Sequence, residues 1–150
     1  MSKVNFQRRK ASVIPELRPL YKISKILLIL NCCCIGKKSS LLKLHLFNWA
    51  MLDMKRLDML NISAIQGDLI IGIWGIDPSL NMAIEFAISE SLVEKLSNGA
   101  YKLSKKGEYF LYQSDSKALF EDEYPKLLQI GNKITEKMVN AAAKRWCNEV

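Results

Sequence analysis

The chain has 150 residues, of which 49% are hydrophobic and 25% charged, and this balance fits one globular domain with its own core. Seven glycines and four prolines exclude collagen-like and low-complexity classes, and the apolar content excludes a disordered chain. The formal net charge of +7 predicts an anionic partner. Residues 1–50 carry ten basic side chains and one acidic one, whereas no basic residue lies between Leu57 and Glu94. We therefore expect two surfaces of different charge.

The N-terminal part of the chain predicts an arm followed by a helix. Residues 1–14 are polar and basic without a hydrophobic period, which is typical of a flexible basic arm. The first helix begins at Leu20 and ends before Gly36, and its pattern places Lys22 and Lys25 on the exposed side.

Two features predict a cytoplasmic protein that does not enter a membrane. The longest uncharged apolar run near the N-terminus is Ile26–Gly36, far short of the ~20 residues that a membrane span needs. Three of the four cysteines are adjacent, which fits neither a disulfide framework nor the Cys-x2-4-Cys spacing of zinc sites. We expect small buried thiols at the end of a helix, for Cys32, Cys33, Cys34 and Cys147.

The next segments predict a central helix and a strand. Residues 41–52 are apolar nearly all round after a capping serine, which is typical of a helix inside the core. His45 within this helix is expected to be a packing residue rather than a catalyst. The pattern of Asp53–Leu60 predicts a short amphipathic helix. The β-branched residues within Asp68–Ile73 predict a strand.

The clearest local pattern predicts a helix, a hairpin and another helix in succession. A helix capped by Asp77, with proline in its first turn, extends to about Ser91. The pair Asn98-Gly99 then joins two alternating runs, which is a hairpin signal because both positions accept positive φ. Ser104 follows as the cap of a helix that begins Lys-Lys-Gly-Glu. This order is typical of a winged helix-turn-helix domain.

These elements together predict a mainly α protein with a small β-hairpin. The winged-helix-like domain spans 15–112, and a C-terminal helical extension, 113–150, packs on it. The extension begins with the acidic run at 120–123 and ends in a helix, Ile134–Trp146.

The sequence contains none of the common catalytic motifs. It lacks a glycine-rich phosphate loop, a HExxH motif and a GxSxG motif, and it has a single histidine. We therefore expect no enzyme, with no catalytic, cofactor-binding or metal-ligating residues.

The positions of the charges predict backbone contact with nucleic acid rather than sequence recognition. The helix before the hairpin carries Glu85 and Glu90 and no basic residue, so it is poorly suited to bind bases in the major groove. The candidate nucleic-acid contacts lie elsewhere, in the arm and after the hairpin: Arg8, Arg9, Lys10, Lys102, Lys105 and Lys106.

The last helix supplies candidate partner contacts. Its lysines recur at helical spacing and form a polar stripe, and a large aromatic residue lies on the opposite, apolar face: Lys133, Lys137, Lys144 and Trp146. A large aromatic side chain near a chain end can anchor a partner. Two alternatives stay open, because the lysines can be plain solvated surface and Trp146 can close the protein's own core.

Five stretches resemble the middle component of bacterial ABC-three-component systems, the Lamassu-type antiphage operons. They are RPLYKISKILLIL (18–30), SLLKLHLFNWA (40–50), WGIDPSLNMAIEFAISESLVEK (74–95), YKLSKKGEYF (101–110) and IGNKITEKMVNAAAKRW (130–146). The resemblance covers about residues 18–146.

The resemblance implies a small non-enzymatic adaptor subunit. In such systems an SMC/Rad50-like coiled-coil ATPase senses foreign DNA, a separate nuclease-like effector acts, and the middle component holds the effector near the ATPase. The family supplies no catalytic motif that could be carried over to this chain, and we expect no cofactor. The alternatives are a stand-alone winged-helix transcription regulator and a purely structural domain.

Overall fold

The computed structural model describes residues 19–149, with side chains up to Trp146, and it is mainly helical with a small three-stranded antiparallel sheet. The helices are α1 (Pro19–Cys33), α2 (Leu41–Ala50), α3 (Met54–Gln66), α4 (Pro78–Ser89), α5 (Lys105–Gln113), α6 (Ser116–Leu119), α7 (Glu123–Ile130) and α8 (Glu136–Glu149). The strands are β1 (Lys38–Ser39), β2 (Val93–Lys95) and β3 (Tyr101–Leu103). Short 3-10 turns lie at Ile35–Lys37 and Gly131–Lys133.

Helix α1 forms the centre of the fold, since α2, α4, α5 and α7 all pack against it. The expectation that Lys22 and Lys25 lie on its exposed side is wrong, because both side chains are buried. Lys22 Nζ lies 2.7 Å from Asp77 Oδ2, and Lys25 Nζ lies 5.5 Å from the centre of the Tyr21 ring. Lys22 is paired with a carboxylate from outside the helix, and Lys25 lies near an aromatic ring of the same helix. These contacts offset the cost of burying the two cations.

The predicted helix starts are confirmed by their capping contacts. The Ser40 hydroxyl accepts the Lys43 N–H before α2, and the Ser104 hydroxyl accepts the Gly107 N–H before α5. The Asp77 carboxylate accepts the N–H of Ser79 at the start of α4. Helix α2 is largely buried, as its apolar sequence predicts.

The segment between α3 and α4 differs from expectation. Residues 68–73 form no strand, because no neighbouring strand lies beside them, and α3 continues to Gln66. Some of the hydrophobic side chains of this segment are nevertheless buried in the core, and others are exposed. Its buried members are Leu69, Ile71 and Trp74, and its exposed ones are Ile70, Ile73 and Ile76.

The predicted hairpin is confirmed, and it belongs to a larger sheet. Strands β2 and β3 pair antiparallel, and Gly99 in their turn has φ +89°. The two-residue strand β1 pairs with the other edge of β3, so the sheet order is β1-β3-β2. Strand β1 was not predicted, because two residues carry no recognisable alternation.

The C-terminal helices pack on the rest of the chain. Helix α7 lies against α1 and α3, and α8 lies against α2. The last helix begins at Glu136 rather than Ile134, and its inward residues are Val139 and Ala142.

Candidate interaction surfaces

The predicted nucleic-acid contacts that the structure describes have different surroundings. Arg8, Arg9 and Lys10 lie outside the described residues. Lys102, Lys105 and Lys106 are all exposed, and each contacts different elements. Lys102 lies on the open face of the sheet, Lys105 lines a cleft between α1, α5, α6 and α7, and Lys106 Nζ donates to the Glu90 carbonyl 2.9 Å away, at the end of α4.

The open face of the sheet brings two lysines together. Lys38 of β1 and Lys102 of β3 are direct cross-strand neighbours and both are exposed, with Glu94 of β2 on the other side of Lys102. Like charges opposite each other in a sheet repel, and an anion between them removes that repulsion. Lys38 was missed by sequence analysis because its strand was missed.

The lysine stripe of the last helix is shorter than predicted. Lys137 and Lys144 are exposed on α8, and Asn140 lies between them. Lys133 is also exposed, but it lies in the 3-10 turn before α8, so it does not continue the helical stripe. The chain turns there because Gly131 takes a φ of +53° and ends α7.

Trp146 packs on the protein's own core with part of its ring. Its ring centre lies 4.4 Å from that of Trp74, at an interplanar angle of 70°, which is an edge-to-face contact. Trp74 is fully buried, whereas Trp146 is half-buried. The neighbouring Arg145 guanidinium donates to the Leu69 carbonyl and fixes this end of α8 on the segment before α4.

The outer face of α4 is apolar and acidic. Met82 is 73% exposed and Phe86 is 47% exposed, and Glu85 and Glu90 flank them, exposed as predicted. We call Met82, Phe86 and the two glutamates the α4 face. The lack of cations on this face follows from the sequence, but Met82 and Phe86 were not singled out as partner contacts, because two adjoining apolar stripes on one helix do not show which of them faces out.

A polar cluster fixes the start of α4 to α1 and α2. The Asp77 carboxylate accepts bonds from Lys22 Nζ at 2.7 Å and from the Ser79 hydroxyl at 2.7 Å. Burial alone raises the pKa of Asp77, but the Lys22 and Ser79 hydrogen bonds outweigh it and hold that pKa well below its ordinary value. His45 Nδ1 accepts the Asp77 N–H at 3.2 Å, so His45 Nε2 carries the proton and donates to Asn81 Oδ1 at 2.9 Å. His45 is thus buried with both ring nitrogens hydrogen-bonded, as expected for a satisfied packing residue.

Two of the three adjacent cysteines are buried in the core, whereas Cys32 is half-buried. Cys33 and Cys34 are buried at the end of α1, as predicted, and their thiols donate to the carbonyls of Leu127 and Ile29. Burial raises the pKa of Cys34 to about 11 and raises the pKa of Cys33 still further. Both thiols are therefore poor nucleophiles. Among the described residues, no three His, Cys, Asp or Glu side chains lie close enough to hold a metal ion.

Comparison with known proteins finds no matching family model, no matching curated protein and no matching solved structure. Within residues 19–149, no helix combines the length and apolarity needed to cross a membrane. Function is therefore inferred from the geometry of these surfaces and from the sequence resemblance.

Proposed function

We propose that this chain is a non-enzymatic adaptor of an ABC-three-component, Lamassu-type antiphage complex. It links an SMC/Rad50-like coiled-coil ATPase to a nuclease-like effector and contacts duplex DNA through backbone phosphates. The observation that carries the proposal is the α4 face, where Met82 and Phe86 are exposed beside carboxylates. An exposed apolar group rimmed by charge is typical of a protein-binding surface.

The order of elements supports a winged-helix architecture with one additional helix. Helix α1 leads to β1, which pairs with β3, the last strand in chain order and the central strand of the sheet. Helix α4 directly precedes the hairpin. In DNA-binding winged helices, the helix in this position enters the major groove. An adaptor keeps the same scaffold and uses that helix for a protein.

The charges of the α4 face favour a protein over DNA. Glu85 and Glu90 would lie against phosphates if α4 entered a groove, and α4 itself carries no cation to offset them. Full burial of a Met or Phe side chain contributes roughly 1.5–3 kcal/mol, so Met82 and Phe86 can anchor a partner. The flanking carboxylates favour a partner whose contacting surface is basic.

DNA contact belongs to a different surface, the open face of the sheet. Lys38 and Lys102 are cross-strand neighbours there, and two neighbouring cations favour contact with a phosphate backbone. Such contacts position a protein on DNA without reading its sequence.

Copurification tests the adaptor role. The chain is co-expressed with the coiled-coil ATPase and the effector of its own operon, and we expect a stable complex. The double variant Met82→Glu/Phe86→Glu should lose one of the two partners while its circular dichroism stays unchanged. The matched control is Ile35→Glu, because Ile35 is similarly open to solvent. Ile35 lies just after the C-terminal end of α1, a 15-residue helix that is about 22 Å long. Full copurification of the double variant contradicts the role assigned to the α4 face.

Duplex binding tests the DNA contact. Wild-type protein should bind duplexes of different sequence equally, with affinity that falls steeply as salt rises. Replacing Lys38 and Lys102 by Gln should reduce the slope of log K against log salt by roughly 0.9 for each phosphate that the variant no longer neutralises. Lys137→Gln is the control, since Lys137 lies on α8. A tight footprint on one palindromic operator would instead support the transcription regulator.

A further inference from the structure

A cleft beside α5 combines aromatic rings with cations. It has a volume of about 520 Å³ and is bounded by α1, α5, α6 and α7. Three tyrosines and two lysines line it: Tyr109, Tyr112, Tyr124, Lys105 and Lys117. Its volume lies within the range of small-molecule sites, roughly 300–1,000 Å³.

Two of the tyrosine rings are open to solvent. Tyr112 is 86% exposed and Tyr109 is 63% exposed, and they lie one helical turn apart on α5. The buried side chain of Leu28 and the half-buried Leu111 close the apolar side of the cleft. Exposed aromatic faces beside an apolar floor form a surface on which a flat ring can stack.

The charges of the cleft favour an anion beside that ring. Lys117 Nζ lies 5.4 Å from the centre of the Tyr124 ring, and Lys105 is exposed at the start of α5. The carboxylate that lines the cleft, Glu108, is paired with Lys37 at 3.2 Å. The lining side chains therefore leave positive charge next to the aromatic rings.

We propose that this cleft binds an unpaired nucleobase together with its neighbouring phosphate, presented by a single-stranded nucleic acid. The base stacks on Tyr109 or Tyr112, and Lys105 and Lys117 contact the phosphate. Bases of an intact duplex are stacked on one another and cannot reach the rings, so the site distinguishes frayed or resected ends from intact DNA. This inference rests on the nucleic-acid part of the proposed function and is independent of partner binding by the α4 face.

Fluorescence anisotropy with the full chain tests the site. The probes are labelled single strands of DNA and of RNA of about 12 nucleotides, an abasic strand of the same length and charge, and the corresponding DNA duplex. We expect the base-containing strands to bind about tenfold more tightly than the abasic strand, because stacking adds to the phosphate contacts. The double variant Tyr109→Ala/Tyr112→Ala should bind both kinds of strand alike, and Tyr109→Phe/Tyr112→Phe should keep the tenfold difference.

Controls separate this site from the rest of the proposal. Phe86→Ala, which removes an exposed aromatic ring from the α4 face, should leave the tenfold difference intact, and Lys38→Gln/Lys102→Gln should weaken duplex binding without abolishing it. Equal binding of base-containing and abasic strands by wild-type protein overturns the base site, whatever the duplex and copurification results. Binding of AMP without binding of any strand also overturns it, since the site would then take a free nucleotide.

Discussion

Replacing Asp77 tests how the start of α4 is held in place, and hence how its outer face is presented. In Asp77→Ala, the bond from Lys22 Nζ is removed, and hydrogen bonds to charged groups contribute about 1.5–3 kcal/mol. The cap on the Ser79 N–H is also removed, which costs about 1 kcal/mol. We expect a loss of about 2.5–4 kcal/mol in the free energy of unfolding. Asp77→Asn should lose about 1 kcal/mol less, because asparagine is an equally good cap.

The same carboxylate makes stability depend on pH in a defined direction. The folded pKa of Asp77 lies below its ordinary value of 3.8, so the unfolded chain takes up a proton at Asp77 before the folded one does. The stabilisation is therefore complete above about pH 4 and is lost as the pH falls through the folded pKa. Asp77→Asn lacks this contribution. The difference in unfolding free energy between wild type and Asp77→Asn should shrink as the pH falls from about 4 to 2.

Urea unfolding followed by circular dichroism measures these differences at pH 7 and across the acid range. A double-mutant cycle with Lys22→Met isolates the pair, because the cost of Asp77→Asn should fall by more than about 0.5 kcal/mol once Lys22 is gone. Additive costs, or a constant difference between wild type and Asp77→Asn down to pH 2, would refute the contribution assigned to this contact.

Three further predictions concern the packing of the fold. Trp146→Ala should lower the free energy of unfolding by about 2 kcal/mol, roughly half the value for a fully buried aromatic side chain, because its ring is half-buried. A variant that is as stable as wild type in urea and copurifies fully with both partners would exclude both the core role and the anchor role of Trp146. Gly107→Ala should lower the free energy of unfolding by about 1–3 kcal/mol, because the added Cβ would clash with the Leu92 carbonyl oxygen. Gly72→Ala is the control: its Cβ would contact no other atom, so the thermal midpoint should stay unchanged. Cys33 and Cys34 should resist DTNB in the native protein and react only after unfolding, as peptide mapping by mass spectrometry would detect.

The parts of the fold that the sequence predicts are those with local signals. A capping side chain, a proline in the first turn and an Asn-Gly pair act within four residues, so α4, the hairpin and α5 are found close to their observed bounds. The Ser104 cap illustrates this, because its hydroxyl accepts the Gly107 N–H three residues later. No distant contact is needed to recognise such a turn.

The parts that the sequence does not predict depend on distant partners. Lys22 has the periodicity of an exposed residue, but its partner Asp77 is 55 positions away. The β-branched run at 68–73 has strand propensity, but propensity does not supply a neighbouring strand. Conversely, β1 is recognisable only through its pairing with β3, which also brings Lys38 next to Lys102.

The candidate sites show the same division. Charge counts identified Lys102, Lys105 and Lys106 as exposed cations, and the absence of cations on α4 followed directly from the sequence. Which of those cations share a surface depends on the packing of α5. Tyr109 and Tyr112 were missed as site residues, although their spacing of three on one helix was a signal that they share a face.

The start of α5 connects the surfaces proposed for protein and nucleic acid. Lys106 reaches the end of α4, Lys105 lines the tyrosine cleft, and the two residues are adjacent in the chain. Gly107 holds this turn against the Leu92 carbonyl so closely that no side chain fits between them. A nucleic acid bound in the cleft and a protein bound on the α4 face would therefore both act on this junction. An adaptor that signals the presence of nucleic acid to a protein partner needs such a junction, because two sites affect each other's affinity only through an element on which both act.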